Sequence, residues 1–122
     1  NVATINGESQ GLALGTGDSN VILAAVVADT VVKINRITVA NVDGSSAADV
    51  NIKVVKAAFT SAATGLAGNV GTIYLAKTIA VPADASLVVL ETPIYMQTGD
   101  ALQGGASAAG DLEVFVSYDV IA

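Results

Sequence analysis

The chain has 122 residues, 11 acidic against 5 basic, and a net charge of −6. That length fits one domain, and that charge argues against a nucleic-acid phosphate backbone as the main ligand. With no Cys and no His, disulfides, zinc clusters, thiol nucleophiles and imidazole bases are all excluded. Apolar residues make up 52%, but only 4% are aromatic, so much of that share is Ala, Val and Ile. Ala buries little area, and a homo-oligomeric interface is expected to supplement the core.

Residues 1–19 are broken by Gly7, Gly11, Gly15 and Gly17 and read as an extended arm or a loosely held first strand. Asn1–Glu8 has no basic segment and no signal-like apolar core. Residues 20–122 form the domain proper. The longest apolar run, Val21–Ala28, is too short to span a bilayer, and no membrane partner is expected. Val21–Val27 predicts a strand, and Val31–Val42 a longer one. In the latter, Val32 and Ile34 share one phase while Ile37 and Val39 share the other, so a bulge near Asn35-Arg36 is expected. A long helix over Val21–Val42 is disfavoured, because β-branched residues lose rotamer freedom in helices.

Asp43-Gly44-Ser45-Ser46 predicts a hairpin turn with positive φ at glycine. Its return strand is Asp49–Lys56, with Val50, Ile52 and Val54 inward. Ala57–Asn69 is the longest break. Strands follow at Thr72–Val81, Leu87–Glu91, Ile94–Gln97, Ala101–Gly104 and Leu112–Ile121, separated by turns at Pro82–Ala85, Thr98–Asp100 and Ser107–Gly110. About eight short strands with turn residues between them predict an all-β fold. The expected architecture is a single antiparallel β-sandwich or jelly roll with an extended N-terminal arm.

The chain offers little reactive chemistry. The Gly65–Gly68 and Gly99–Gly105 segments lack the lysine and the helix that a phosphate cradle needs. No motif pairs a serine with Lys33, Lys53, Lys56 or Lys77, and Asp43, Asp84, Asp100 and Asp111 fall in turns that use aspartate for local hydrogen bonds. No catalytic residue, cofactor or metal is assigned, and no enzymatic activity is expected. Four of the five basic residues, Lys33, Arg36, Lys53 and Lys56, flank the predicted hairpin. Paired across it, Lys33 would face Lys56 and Arg36 would face Lys53. Such a positive stripe could dock on an acidic partner, or simply protect a sheet edge.

Residues 31–121 resemble small virion proteins of tailed bacteriophages. The resemblance is carried, in order, by Lys33–Val42, Ser45–Val54, Tyr74–Lys77, Val81-Pro82-Ala83, Leu87–Leu90, Gly99–Leu102 and Ser107–Leu112. It implies a jelly-roll subunit of the virion: a capsid decoration (cement) protein on the head surface, often a homotrimer, bound to the major capsid protein. A tail, neck or fibre adaptor is the other virion position that the resemblance implies. A cell-surface or carbohydrate-binding module is the alternative from another class. Under the decoration reading, residues 1–19 would order across a neighbour, and their removal would leave the domain folded.

Overall fold

The computed structural model describes residues 4–68 and 70–122; residues 1–3, which begin the expected arm, and Asn69, which ends the expected long break, lie outside them. The described residues hold nine strands and no helix. The strands are β1 (Ile5–Ala13), β2 (Asn20–Leu23), β3 (Val31–Asn41), β4 (Ala48–Lys56), β5 (Gly71–Val81), β6 (Ser86–Leu90), β7 (Ile94–Met96), β8 (Ala101–Ala106) and β9 (Leu112–Ile121). One sheet runs β1-β9-β3-β6, with β7 also paired to β3; the other runs β2-β8-β4-β5.

All of these pairings are antiparallel, and they nest. Outermost, β1 pairs β9; inside it β2 pairs β8, then β3 pairs β6 and β7, and innermost β4 pairs β5. Rolling that long hairpin on itself adds the β9–β3 and β8–β4 contacts. The result is a jelly roll. Strands β6 and β7 lie end to end along β3, so together they fill one strand position. The nine strands exceed the eight expected by β1, in which Gly7 and Gly11 mask the alternation of a strand.

Packing follows the two-residue period of the strands. Ile34, Ile37 and Val39 of β3, Val50 and Ile52 of β4, Leu102 of β8, and Leu112 and Val116 of β9 are fully buried. No aromatic ring is among the buried residues. The expected bulge is present: the β3–β9 register shifts between Ile34 and Arg36, so Asn35 absorbs the extra residue and both apolar phases face the core. The expected strand over Val21–Val27 is shorter. Ladder pairing stops at Leu23, and Val26 instead bonds to the turn at Gly99–Asp100.

The hairpin expected at Asp43–Ser46 is not formed. Both edges of β3 are already taken, by β9 on one side and by β6 and β7 on the other, so the chain must leave that sheet. Gly44 lacks positive φ, and Asp43 Oδ1 instead accepts from the Ser45 amide at 3.0 Å in a local turn. That bond is the first cause holding the Asp43 carboxyl below its ordinary pKa. The connection is an arch between sheets, fastened by Asn41. Its buried side chain donates to the Ser46 carbonyl at 3.0 Å and the Val81 carbonyl at 2.9 Å, and accepts from the Asp43 amide at 2.8 Å.

Much of the 1–19 segment is held by the body of the protein. Strand β1 pairs with β9 over nine consecutive residues, and Leu14 is fully buried. Gly17 and Asp18 then cross the outer face of the second sheet over Gly105, where a Cβ would sit 1.6 Å from the Gly17 carbonyl oxygen. Removing 1–19 would therefore take Leu14 from the core and open one edge of β9, which would keep its pairing with β3. The 1–19 segment is thus built into the first sheet and the core, and its deletion is expected to lower the stability of the remainder.

Asn41→Ala leaves two carbonyls and an amide without their partner and should cost roughly 2–3 kcal/mol. For a domain of this size the expected fall in Tm is on the order of 10 °C. Thermal unfolding by circular dichroism checks it; an unchanged Tm would show that Asn41 does not fasten the arch.

Candidate docking surface

The four basic residues singled out by the sequence fall on different sheets. Lys33 and Arg36 belong to β3, Lys53 and Lys56 to β4, and those two strands do not pair. The expected facing of Lys33 with Lys56 and of Arg36 with Lys53 is thus corrected: the single positive stripe does not exist. Separation follows from the arch, which sends β4 into the opposite layer.

Lys53 and Lys56 are engaged within the fold. Lys53 is only 7% exposed, although it points away from the core, because the Gly17–Ser19 crossing covers it. Its Nζ lies 3.3 Å from Asp18 Oδ1 and 3.3 Å from Ser19 Oγ. Asp18 also accepts from the Tyr74 hydroxyl, and Lys77 stands over the Tyr74 ring at 4.7 Å. The Tyr74 hydrogen bond, followed by that of Lys53, holds the Asp18 carboxyl below its ordinary pKa. This network staples the crossing to the sheet.

Lys56 belongs to a second clamp. Asp100 is 1% exposed, and its carboxylate accepts from Lys56 Nζ at 2.5 Å and from the amides of Ala57 and Gln97, each at 2.9 Å. Burial pushes its pKa up, but the Lys56 and backbone hydrogen bonds together outweigh burial, and the net shift is downward. The sequence reading placed Asp100 in a turn. It missed the ion pair, because Lys56 is 44 residues away in the chain.

Lys33 and Arg36 remain, on the outer face of the first sheet. Among the described residues neither forms an ion pair. Cross-strand register sets Lys33 beside Asp119 and Tyr95, and Arg36 beside Ser117. One row further along, Gly11, Phe115, Thr38 and Val88 lie side by side across four strands. Phe115 is 52% exposed and its ring rests close over Gly11, where an added Cβ would come within 3.0 Å. Around it Ala13, Thr38, Ala40, Ser86 and the carboxylate-bearing Glu113 line a depression of about 350 Å³. Small side chains keep this face low, with exposed apolar groups in the middle, Lys33, Arg36 and Asp119 toward one end and Glu113 toward the other. Among the described residues no group of three or more acidic side chains converges as a metal cage would require. The arrangement suits contact with a surface.

A folded-state pKa below the unfolded value means that Asp100 stabilises the fold above the ordinary aspartate range, and that this contribution fades as pH falls through its folded pKa. Stability should therefore drop below about pH 4. Asp100→Asn is expected to lower stability at neutral pH by roughly 2–3 kcal/mol and to flatten that acid decline. Urea unfolding from pH 2 to 7 would show both effects; parallel curves for the two proteins would contradict the assignment.

No known protein family matches this chain, and no curated protein does. Among solved structures, it is similar to a protein of the disulfide-linked pili that form Bacillus endospore appendages, at 12% identity and a TM-score of 0.45, over 97% of this chain and 86% of that one. It is also similar to a chain of an infectious bursal disease virus particle (9% identity, TM-score 0.41, 93% of this chain) and of that virus's subviral particle (14%, 0.39, 98%). This chain spans about a third of the length of those virus chains, 31% and 32%.

Proposed function

We propose that this chain is a structural subunit of a tailed-phage virion, a capsid decoration protein that docks on the major capsid protein through the outer face of its first sheet. One observation carries this reading: Lys33 and Arg36 stand without an ion pair among the described residues beside the exposed row of Phe115 and Val88. On a chain of net charge −6, this face sets Lys33 and Arg36 against Asp119 and Glu113, so it repels an acidic partner less than the rest of the surface does. The apolar row then supplies the short-range contact. Of the four basic residues first considered, docking falls to Lys33 and Arg36, since Lys53 and Lys56 are committed within the fold.

The role is mechanical. A protein that binds the assembled shell but not its dissociated subunits stabilises the shell by mass action, and many copies multiply a modest individual contact. The phage resemblance implies a homotrimer on a local threefold of the head lattice. Tyr95 and Phe115, 61% and 52% exposed on the same face, favour a second reading as a carbohydrate-binding module, in which the rings would be sugar platforms.

Co-sedimentation with phage heads stripped of this chain separates the two readings. The native protein should pellet with the heads in hundreds of copies, and Lys33→Glu with Arg36→Glu should weaken that binding at least tenfold, chiefly in the association rate. A handful of copies would favour a tail or fibre position. Failure to pellet, with binding on a glycan array that Phe115→Ser abolishes, would favour the carbohydrate module.

A further inference from the structure

A two-sheet sandwich has four edges, and three of them here carry the features that keep edges from pairing. Strand β2 has only four residues and a register shift. Strand β5 shifts register twice against β4 and carries Thr78 at φ +53 beside Lys77. The edge formed by β6 and β7 is split, with Pro93 in the gap. Strand β1 is different. It pairs with β9 over nine consecutive residues without a shift and contains no Pro, Lys or Arg.

The hydrogen-bond phase of β1 can be read from its ends. Thr4 exchanges both backbone bonds with Ala122, at 2.8 and 3.0 Å, and the Leu14 amide donates to the Leu112 carbonyl at 2.8 Å. Antiparallel ladders alternate, so the even-numbered residues between them bond to β9. Ile5, Gly7, Ser9, Gly11 and Ala13 therefore turn their N–H and C=O groups away from the sheet. Among the described residues no hydrogen bond reaches those groups. They form an uninterrupted ladder edge, unoccupied among the described residues.

We propose that this edge binds the β1 strand of a second copy, antiparallel and centred on Ser9. The register is self-complementary. With Ser9 opposite Ser9 of the second copy, Gly7 faces Gly11 and Ile5 faces Ala13, and all five outward-bonding residues meet their counterparts in about ten backbone hydrogen bonds. On the other side of the strand Glu8 faces Gln10, so no two like charges lie directly opposite. Gly7 and Gly11 leave room for Asp119 and Phe115 of β9, which already lean over them, and Ser9 adds little bulk between. The outcome is one continuous sheet through two copies related by a twofold axis, an isologous contact. It concerns an edge, whereas the proposed capsid contact uses a face, and the two are independent.

Ser9→Pro and Ser9→Lys test the contact without touching β9. The Ser9 amide points outward, so proline removes only a free donor, and an exposed lysine guards the edge as in natural sheets. Sedimentation equilibrium over a concentration series should give the native chain twice the mass of either variant at high concentration, with matching circular dichroism spectra. The chain has no cysteine, so Ser9→Cys gives a clean register test. Facing residues in a bonded pair lie about 5.5 Å apart at Cα, within disulfide reach. Ser9→Cys should crosslink to dimers under mild oxidation, and Thr38→Cys, in the middle of the outer face, should not. Equal masses for the native chain and both variants, or crosslinking through Thr38→Cys as fast as through Ser9→Cys, would overturn the proposal.

Discussion

The structure depends on burying a thin aliphatic layer between two sheets. Its largest buried side chains are Leu, Ile and Met, and no ring fills the space between the layers. Such a core gives apolar burial but few large shapes that would fix one sheet relative to the other. Orientation instead comes from polar groups at the two ends of the sandwich. Asn41 ties the end of β3 to the end of β5 across the layers. At the opposite end Asp100 gathers Lys56 of β4 and the backbone after β7, while its carbonyl accepts from Val26 after β2. Each is almost fully buried, and no buried side-chain polar atom among the described residues lacks a hydrogen-bond partner. Satisfied in this way, buried polar groups select one arrangement; unsatisfied, they would cost more than they return.

The same economy shapes the surface. Two of the five basic residues are committed to holding the fold, and a third, Lys77, covers Tyr74. Lys33 and Arg36, both on the outer face of the first sheet, form no ion pair among the described residues. The chain spends its small residues there as well. Gly11 seats Phe115, and Ala13, Ala40 and Ser86 keep the surrounding surface low. A low face with a few exposed apolar groups is the basis of the docking role proposed above.

Most strand positions were legible because β-branched residues at period two between turn residues leave few alternatives. The bulge at Asn35 was legible for the same reason, since only an extra residue lets Ile34 and Ile37 face one core. Strand β1 was not, because Gly7 and Gly11 erase the apolar alternation that marks a strand, and its side chains are almost all exposed. The placement of the basic residues was half legible. Lys33, Arg36, Lys53 and Lys56 stood out by position, but their separation onto two layers did not.

What the amino-acid sequence determined by itself is the conformation of the β-branched segments and their inward faces, and the absence of imidazole and thiol side chains. Tertiary structure alone decided which strands became neighbours. Asp43-Gly44 would suit a hairpin, but β9, β6 and β7 occupy both sides of β3, and the chain has to cross. Local propensity acts over a few residues, whereas pairing is settled by long-range competition for strand edges, as between β1 and β9 at opposite ends of the chain. The burial of Lys53, the clamp at Asp100 and the unguarded edge of β1 all follow from that competition.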